Sequence, residues 1–284
     1  MSVVNGLLRP LVDLLLSPFR ALPPAVGLVV VSAVAAVGML LVYKRTSNQP
    51  KLDAVKRQIH ACLFEIRLFS DDLPAILRAQ AEILGHNVRY LGLSLVPMLW
   101  MLVPLVLVIA QLQFHYGYEG LKPGQDFLLK LRLRDGWAAD AGSAAGGASA
   151  RPPARLEVPA GVTVETPAVW IPTEREVAWR LRAREWGDYS LKLQLGSQEY
   201  AKAVQVSSVV RRRSPVRLAA GFLNELLYPA EEPLPRAGPL ESITIAYPEA
   251  SVSFFGFGVN WLVAFVVLSV AFAFALRKPF GVVM

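Results

Sequence analysis

The side chains that most often do chemistry are scarce in this sequence and poorly spaced for it. There is one cysteine, Cys62, so no disulfide can close within the chain. The three histidines, His60, His86 and His115, do not stand at zinc-ligand spacing with one another or with Cys62. No phosphate-binding P-loop, no G-x-S-x-G elbow and no carboxylate pair in a plausible cleft is found. No catalytic residue, metal or other cofactor is expected, and the chain does not read as an enzyme.

What remains is a small set of polar side chains inside apolar runs: Ser32, Ser94, Gln111, Asn260 and Ser269, with Gln113 and His115 at an outer edge. Such groups hydrogen-bond between packed helices or line a hydrated groove, and both readings stand. No Asp, Glu, Lys or Arg interrupts these runs, which argues against a charged ion or proton relay. Pro97 and Pro104 lie in the same run as Ser94 and Gln111. Each removes a backbone donor and frees a carbonyl, so this segment is more than a plain anchor.

The elements that must position these residues follow from hydropathy. Of 284 residues, 54% are hydrophobic and 18% charged, with mean hydropathy +0.41, an apolar balance for a soluble domain. About 20 apolar residues cross roughly 30 Å of hydrocarbon. Residues 25–43, 90–114 and 251–276 qualify, predicting three transmembrane helices. A cleaved signal around Ala33-Val34-Ala35 is the rival for the first, but Lys44 and Arg45 follow it directly. Residues 44–89 carry 8 Lys/Arg against 5 Asp/Glu, and residues 115–250 carry 17 against 16. The formal charge of +7 therefore gathers beside membrane helices rather than in a DNA-binding stripe, and no DNA partner is expected. The positive-inside rule puts the N-terminus and residues 115–250 outside, and the 44–89 loop and the 277–284 tail in the cytoplasm. A bacterial cytoplasmic membrane fits the Ala- and Arg-rich composition.

Residues 1–24 read as an interfacial helix, with Leu7, Leu8, Leu11, Leu14, Leu15 and Phe19 largely along one side and Arg9, Asp13 and Arg20 interrupting. Within 44–89, Leu52, Val55, Ile59, Cys62, Ile66 and Phe69 keep helical spacing. Asp71 and Asp72 then cap a second apolar-faced helix that ends near Gly85. A helical hairpin results, with Lys51, Lys56, Arg57, Arg67 and Arg78 on its outer face. That face is either plain solvated surface or a contact for anionic lipid, ribosomal RNA or an acidic nascent chain.

Residues 115–210 have strand rhythm. Leu129, Leu131 and Leu133 alternate with Lys130, Arg132 and Arg134, and further runs fall at 156–158, 162–165, 169–171, 176–183, 189–195 and 200–206. This predicts an antiparallel β-sandwich with a flexible Ala/Gly/Ser loop over 138–154. Glu185-Trp186-Gly187-Asp188-Tyr189 is similar to the tyrosine corner of immunoglobulin-like domains. The 211–250 connector is expected to hold a solvated, lipid-facing patch at Arg211-Arg212-Arg213, an amphipathic helix over 218–228 and a strand over 242–246. The fold class is thus a three-span α-helical membrane protein with an extracytoplasmic immunoglobulin-like sandwich.

An interfacial helix, a span, a basic hairpin starting Gln49-Pro50-Lys51-Leu52, and a second span running Leu95-Val96-Pro97-Met98 through Val103-Pro104-Leu105 resemble the core of the YidC/Oxa/Alb insertase superfamily. With three spans the chain looks most like its minimal branch, which includes archaeal YidC-like proteins and the third subunit of the ER membrane protein complex. The resemblance implies a non-catalytic insertase or intramembrane chaperone that receives client helices in a polar groove. Carried over by position, that groove is Ser32, Ser94, Pro97, Pro104, Gln111, Asn260 and Ser269, with the hairpin receiving clients. It implies membrane lipids and nascent membrane proteins as partners, with the ribosome or translocon as further contacts. Residues 29–42 carry no arginine where bacterial members place one. The alternative is a membrane-anchored immunoglobulin-like module that binds an envelope partner.

Overall fold

The computed structural model describes residues 3–19, 22–69, 71–136, 151–254 and 256–282. The chain forms two compact units, one of Met1–Gly27 with Ile109–Trp261, the other of Leu28–Val108 with Leu262–Met284.

The second unit is helical. Helix α2 (Pro24–Thr46) enters it, followed by α3 (Gln49–Leu68) and α4 (Leu73–Tyr116). Asn48 caps α3 by accepting from the Lys51 N–H, and Asp72 caps α4 by accepting from the Ala75 N–H. The helices α3 and α4 run antiparallel: Cys62 meets Glu82, and the Lys56 ammonium sits 5.6 Å from the centre of the Tyr90 ring. Leu52, Val55, Cys62 and Ala79 are buried along this hairpin.

One expectation changes here. Gly85 does not end the second arm, which continues as one 44-residue helix, roughly 66 Å long, into the second apolar run. Gly85 keeps a negative φ, so no left-handed cap forms, and a single interior glycine costs only about 1 kcal/mol. By length and composition α2 and α4 can each cross a membrane.

The third apolar run also differs from expectation. Residues 251–260 are not helical but form the hairpin β10 (Ser251–Phe254) and β11 (Phe257–Asn260), whose turn uses Gly256 at φ +89°. The helix α6 is therefore only Trp261–Leu276, 16 residues or roughly 24 Å.

The first unit begins with α1 (Val3–Leu16) and a 3₁₀ turn at Ser17–Phe19, and is built around two antiparallel sheets. The larger has the order β3 (Val162–Val164), β5 (Glu176–Ala183), β1 (Asp126–Leu133), β9 (Leu240–Ile245), β8 (Val216–Leu218), with β4 (Val169–Ile171) also on β5. The smaller is β2 (Ala154–Glu157), β6 (Gly187–Leu195), β7 (Gln198–Val206). Alternation works as the pattern requires: Leu129, Leu131, Leu133, Val177, Trp179 and Leu181 meet Leu191, Leu193, Leu195, Val204 and Val206 in one core. This is a β-sandwich-like pair of sheets.

The sheets do not stop at residue 210. The strand β9 pairs β1 in the middle of the larger sheet, placing Leu131 opposite Ile243, so the expected connector is part of the sandwich. Val216–Leu218 is strand β8, and the helix α5 is only Phe222–Leu227, six residues. Hydrogen bonding to β9 outweighs the helical spacing of Leu218, Phe222 and Leu226, because so short a helix has little cooperativity of its own. The expected 138–154 loop falls mostly outside the described residues, and Ala154 already belongs to β2.

Candidate functional site

In the helical unit the expected contact residues sit where the hairpin pattern puts them. Lys51, Arg57, Arg67 and Arg78 are exposed, while Lys56 is half-buried over Tyr90. Apolar side chains are exposed beside them: Phe64 is 69% and Leu68 is 77% accessible, with Phe69, Leu73 and Leu77 also open. A basic face flanking an apolar tip suits a ligand that is itself apolar with a charged flank. Inside the hairpin, ligand atoms of Cys62, Glu65 and Glu82 all lie within 4.8 Å of one another. Burial, then the Glu82 and Glu65 carboxylates, push the Cys62 thiol up, so it stays protonated and donates weakly to Glu82 at 3.7 Å.

The expected groove residues divide. Ser32, Ser94, Pro97, Pro104 and Ser269 fall in the helical unit, and Gln111 and Asn260 in the other. Ser32 is buried and donates to the Leu28 carbonyl at 2.8 Å, a local helix bond. The hydroxyls of Ser94 and Ser269 are buried with no hydrogen-bond partner. Pro97 is buried and Pro104 half-buried within the unbroken α4. Gln111 is buried near the end of α4, whereas Asn260 ends β11 in an exposed position outside any helix. Asn260 is therefore not an intramembrane helix residue, because Gly256 turns the preceding segment into a β-hairpin.

The sandwich unit carries charge networks that strand spacing alone does not announce. Lys202 occupies an inward position of β7, between Tyr200 and Val204, and is 0% exposed. Its ammonium donates to the Ser214 carbonyl at 2.7 Å, the Ser214 hydroxyl at 2.8 Å and the Glu231 carboxylate at 2.6 Å. Ser214 in turn donates to Glu231 at 2.7 Å. Burial pulls Lys202 down to about 8, against the opposing pull of Glu231. Burial alone would raise Glu231, but the Lys202 charge, with hydrogen bonds from Lys202, Ser214 and the Ala203 N–H, holds it below the usual carboxylate value.

A second network ties α1 to the sandwich end. Asp13, expected only as an interruption of an apolar face, accepts from Arg212 at 3.2 Å and lies 3.0 Å from His115 Nε2. The other ring nitrogen of His115 faces the Gln111 carbonyl at 3.1 Å, so acceptors flank the imidazole on both sides. Burial would raise Asp13, yet the His115 hydrogen bond and the Arg212 charge hold it low. The arginine run is thus not a uniform solvated patch. Arg211 is exposed and pairs with Asp188, Arg212 is largely covered by Asp13, and Arg213 is buried among backbone carbonyls.

Two cavities open on these networks. One of about 700 Å³ is lined by Arg211, Arg212, Ser214, Arg217, Glu231 and the small side chains of the β7 edge. Another of about 280 Å³ is lined by His115, Lys122, Ser207, Arg213 and their neighbours. Sequence reasoning misses both, since their charged groups come from segments about 100 to 200 residues apart. The one legible signal is Lys202, a lysine in the inward phase of an alternating strand. The Tyr189 hydroxyl lies 3.2 Å from the Glu185 carbonyl, tying the Glu185–Tyr189 turn to its own backbone. No protein-family model, no curated protein and no solved structure matches this chain, so its functional reading stands on the geometry above.

Proposed function

We propose that this chain is a YidC-like membrane-protein insertase or intramembrane chaperone of the minimal three-span kind, acting without catalysis. The observation that carries the reading is the hairpin whose second arm is the same unbroken helix, α4, as the apolar run containing Pro97 and Pro104. A client that reaches the exposed apolar tip at Phe64 and Leu68, flanked by Arg67 and Arg78, is already on the helix that leads into the bilayer. Ser94 and Ser269, with buried unpartnered hydroxyls, supply polar positions against which a client backbone or its short tail is desolvated less severely. The 16-residue α6, followed by Arg277 and Lys278, favours a locally thin bilayer, because roughly 24 Å is short for a hydrocarbon core of about 30 Å.

In this reading the N-terminus and the sandwich lie outside a bacterial cytoplasmic membrane and the hairpin lies inside. Nascent membrane proteins and lipids are the partners, and the ribosome or translocon delivers clients to Lys51, Lys56, Arg57, Arg67 and Arg78. The outer sheets serve as an immunoglobulin-like module, a reading the Tyr189 corner supports. A second reading, an anchored module for an envelope partner, is favoured by the arginine-lined 700 Å³ cleft on that unit. Reconstitution separates the two. Liposomes holding the purified chain should raise the protease-protected fraction of a single-span client with a short translocated tail severalfold over empty liposomes. An unchanged fraction, with retained binding of envelope proteins, rejects the insertase.

A further inference from the structure

Arg213 is a buried cation with no anion at ion-pair distance among the described residues, Glu119 acting on it only from farther off. Its side chain is 3% exposed. It donates to the carbonyls of Tyr118 at 2.8 Å, Val209 at 2.6 Å and Ser207 at 3.3 Å, all neutral acceptors. Among the described residues no carboxylate lies within 4.0 Å of its guanidinium, and its Nε is buried with no hydrogen-bond partner. Guanidinium does not give up its proton in proteins, and a buried charge of this kind is costly unless it is paired. Backbone carbonyls and the more distant Glu119 leave its Nε without a hydrogen-bond acceptor.

The cavity of about 280 Å³ lies against this group. Lys122 adds a second cation to its wall, Ser207, Ser208 and Ser251 add hydroxyls, and Glu119 is the one carboxylate in the lining. Gly120 packs closely here: a Cβ would meet the Ser207 carbonyl first, then Nη2 and Nε of Arg213 at 2.9 and 3.1 Å. Several donors of different direction around a small space suit a tetrahedral group with several acceptor oxygens better than a planar carboxylate. We propose that this cavity binds a phosphate-bearing ligand, held by Arg213 and Lys122.

Its source follows from position. Pro24 at the start of α2 and Tyr116 at the end of α4 also line the cavity. If α2 and α4 span a membrane, those are their outer ends, at the depth of lipid headgroups, and the ligand is an anionic phospholipid of the outer leaflet. The source rests on the membrane reading of the previous subsection, whereas the cavity chemistry does not. Free inorganic phosphate is the other source of the same chemistry.

The test uses the full chain in two arms. In one, nanodiscs of phosphatidylcholine with and without phosphatidylglycerol are dissolved in neutral detergent, and lipid retained per chain is counted by native mass spectrometry. In the other, the detergent-solubilised chain is titrated with inorganic phosphate. One retained phosphatidylglycerol per chain assigns the lipid source, and saturable phosphate binding without it assigns the soluble source. In either case Lys122→Glu, an exposed change, weakens binding at least tenfold, and Arg213→Gln does so with circular dichroism unchanged. Binding of neither probe, or equal binding by wild type and Lys122→Glu, overturns the site. A chain that resists carbonate extraction yet binds neither probe sinks this inference alone. A chain that binds phosphate but is extracted by carbonate sinks the membrane reading alone.

Discussion

The two units solve opposite problems with their charged and apolar side chains. The sandwich unit buries leucines from both sheets and even admits Lys202 to the interior, where Ser214 and Glu231 satisfy it. The helical unit leaves its apolar surface open: of the most apolar 18-residue stretch of α4, 6% is buried. Side chains such as Leu91, Met98 and Trp100 are largely exposed. The first unit thus supplies partners for its buried Lys202 from within. The second leaves that apolar area open, and α2 and α4 are long and apolar enough to cross a membrane, where a bilayer would supply the cover that burial otherwise gives at about 25 cal/mol per Å².

The comparison breaks most readily at Lys202. Lys202→Met strands the Glu231 carboxylate and should destabilise the sandwich unit by about 3–5 kcal/mol in denaturant unfolding of the full chain. The double change Lys202→Met with Glu231→Leu should recover most of that loss, and a double variant as unstable as the single would mean the pair is not the relevant unit. Gly161→Ala comes next. A Cβ there would fall 2.1 Å from the Tyr189 hydroxyl, so the corner must shift, at about 1–3 kcal/mol. An unchanged melting temperature would show that the corner yields without cost.

Acid sharpens the same contrast. Asp13 and Glu231 are both held below their ordinary values of 3.8 and 4.5. The stability they contribute is complete above those values and is lost as pH falls through the lower folded ones. Thermal unfolding of the sandwich, followed by near-ultraviolet circular dichroism, should therefore shift downward below about pH 4.5, and the shift should shrink in Asp13→Asn. The smallest effect is expected at the hairpin tip. Phe64→Ser should change stability by no more than about 0.5 kcal/mol, because the ring is already exposed, while reducing client capture. A large loss of stability there would mean the tip is part of a folded core.

Much of the architecture was legible because it follows from periodicity. The seven strand-like runs from 127 to 206 all correspond to strands, since period-two burial leaves an unambiguous trace in residues such as Leu129, Leu131 and Leu133. The hairpin face was legible from helical spacing, and the second apolar run from its unbroken hydropathy. Boundaries governed by long-range pairing were not. Leu218 carries helical spacing with Phe222 and still joins β8, because β9 offers it a ladder. Residues 251–260 read as membrane helix by hydropathy, yet Gly256 turns the chain and the β-branched Val252 pairs with Val259 in a hairpin. The charge sites were the least legible. Nothing in the run Arg211-Arg212-Arg213 distinguishes the exposed residue from the one beneath Asp13 and the one buried among carbonyls, since the environments come from segments far away in sequence.

Site-specific photocrosslinking during synthesis of a single-span membrane protein tests most directly whether the helical unit is the one that meets clients. Probes at Phe64 and Ser94 should capture the nascent chain, first at Phe64 and then at Ser94 as the client lengthens, while a probe at Ala203 on the β7 edge should not. Capture of stable envelope proteins at Ala203, with none of the nascent chain at Phe64 or Ser94, would contradict it.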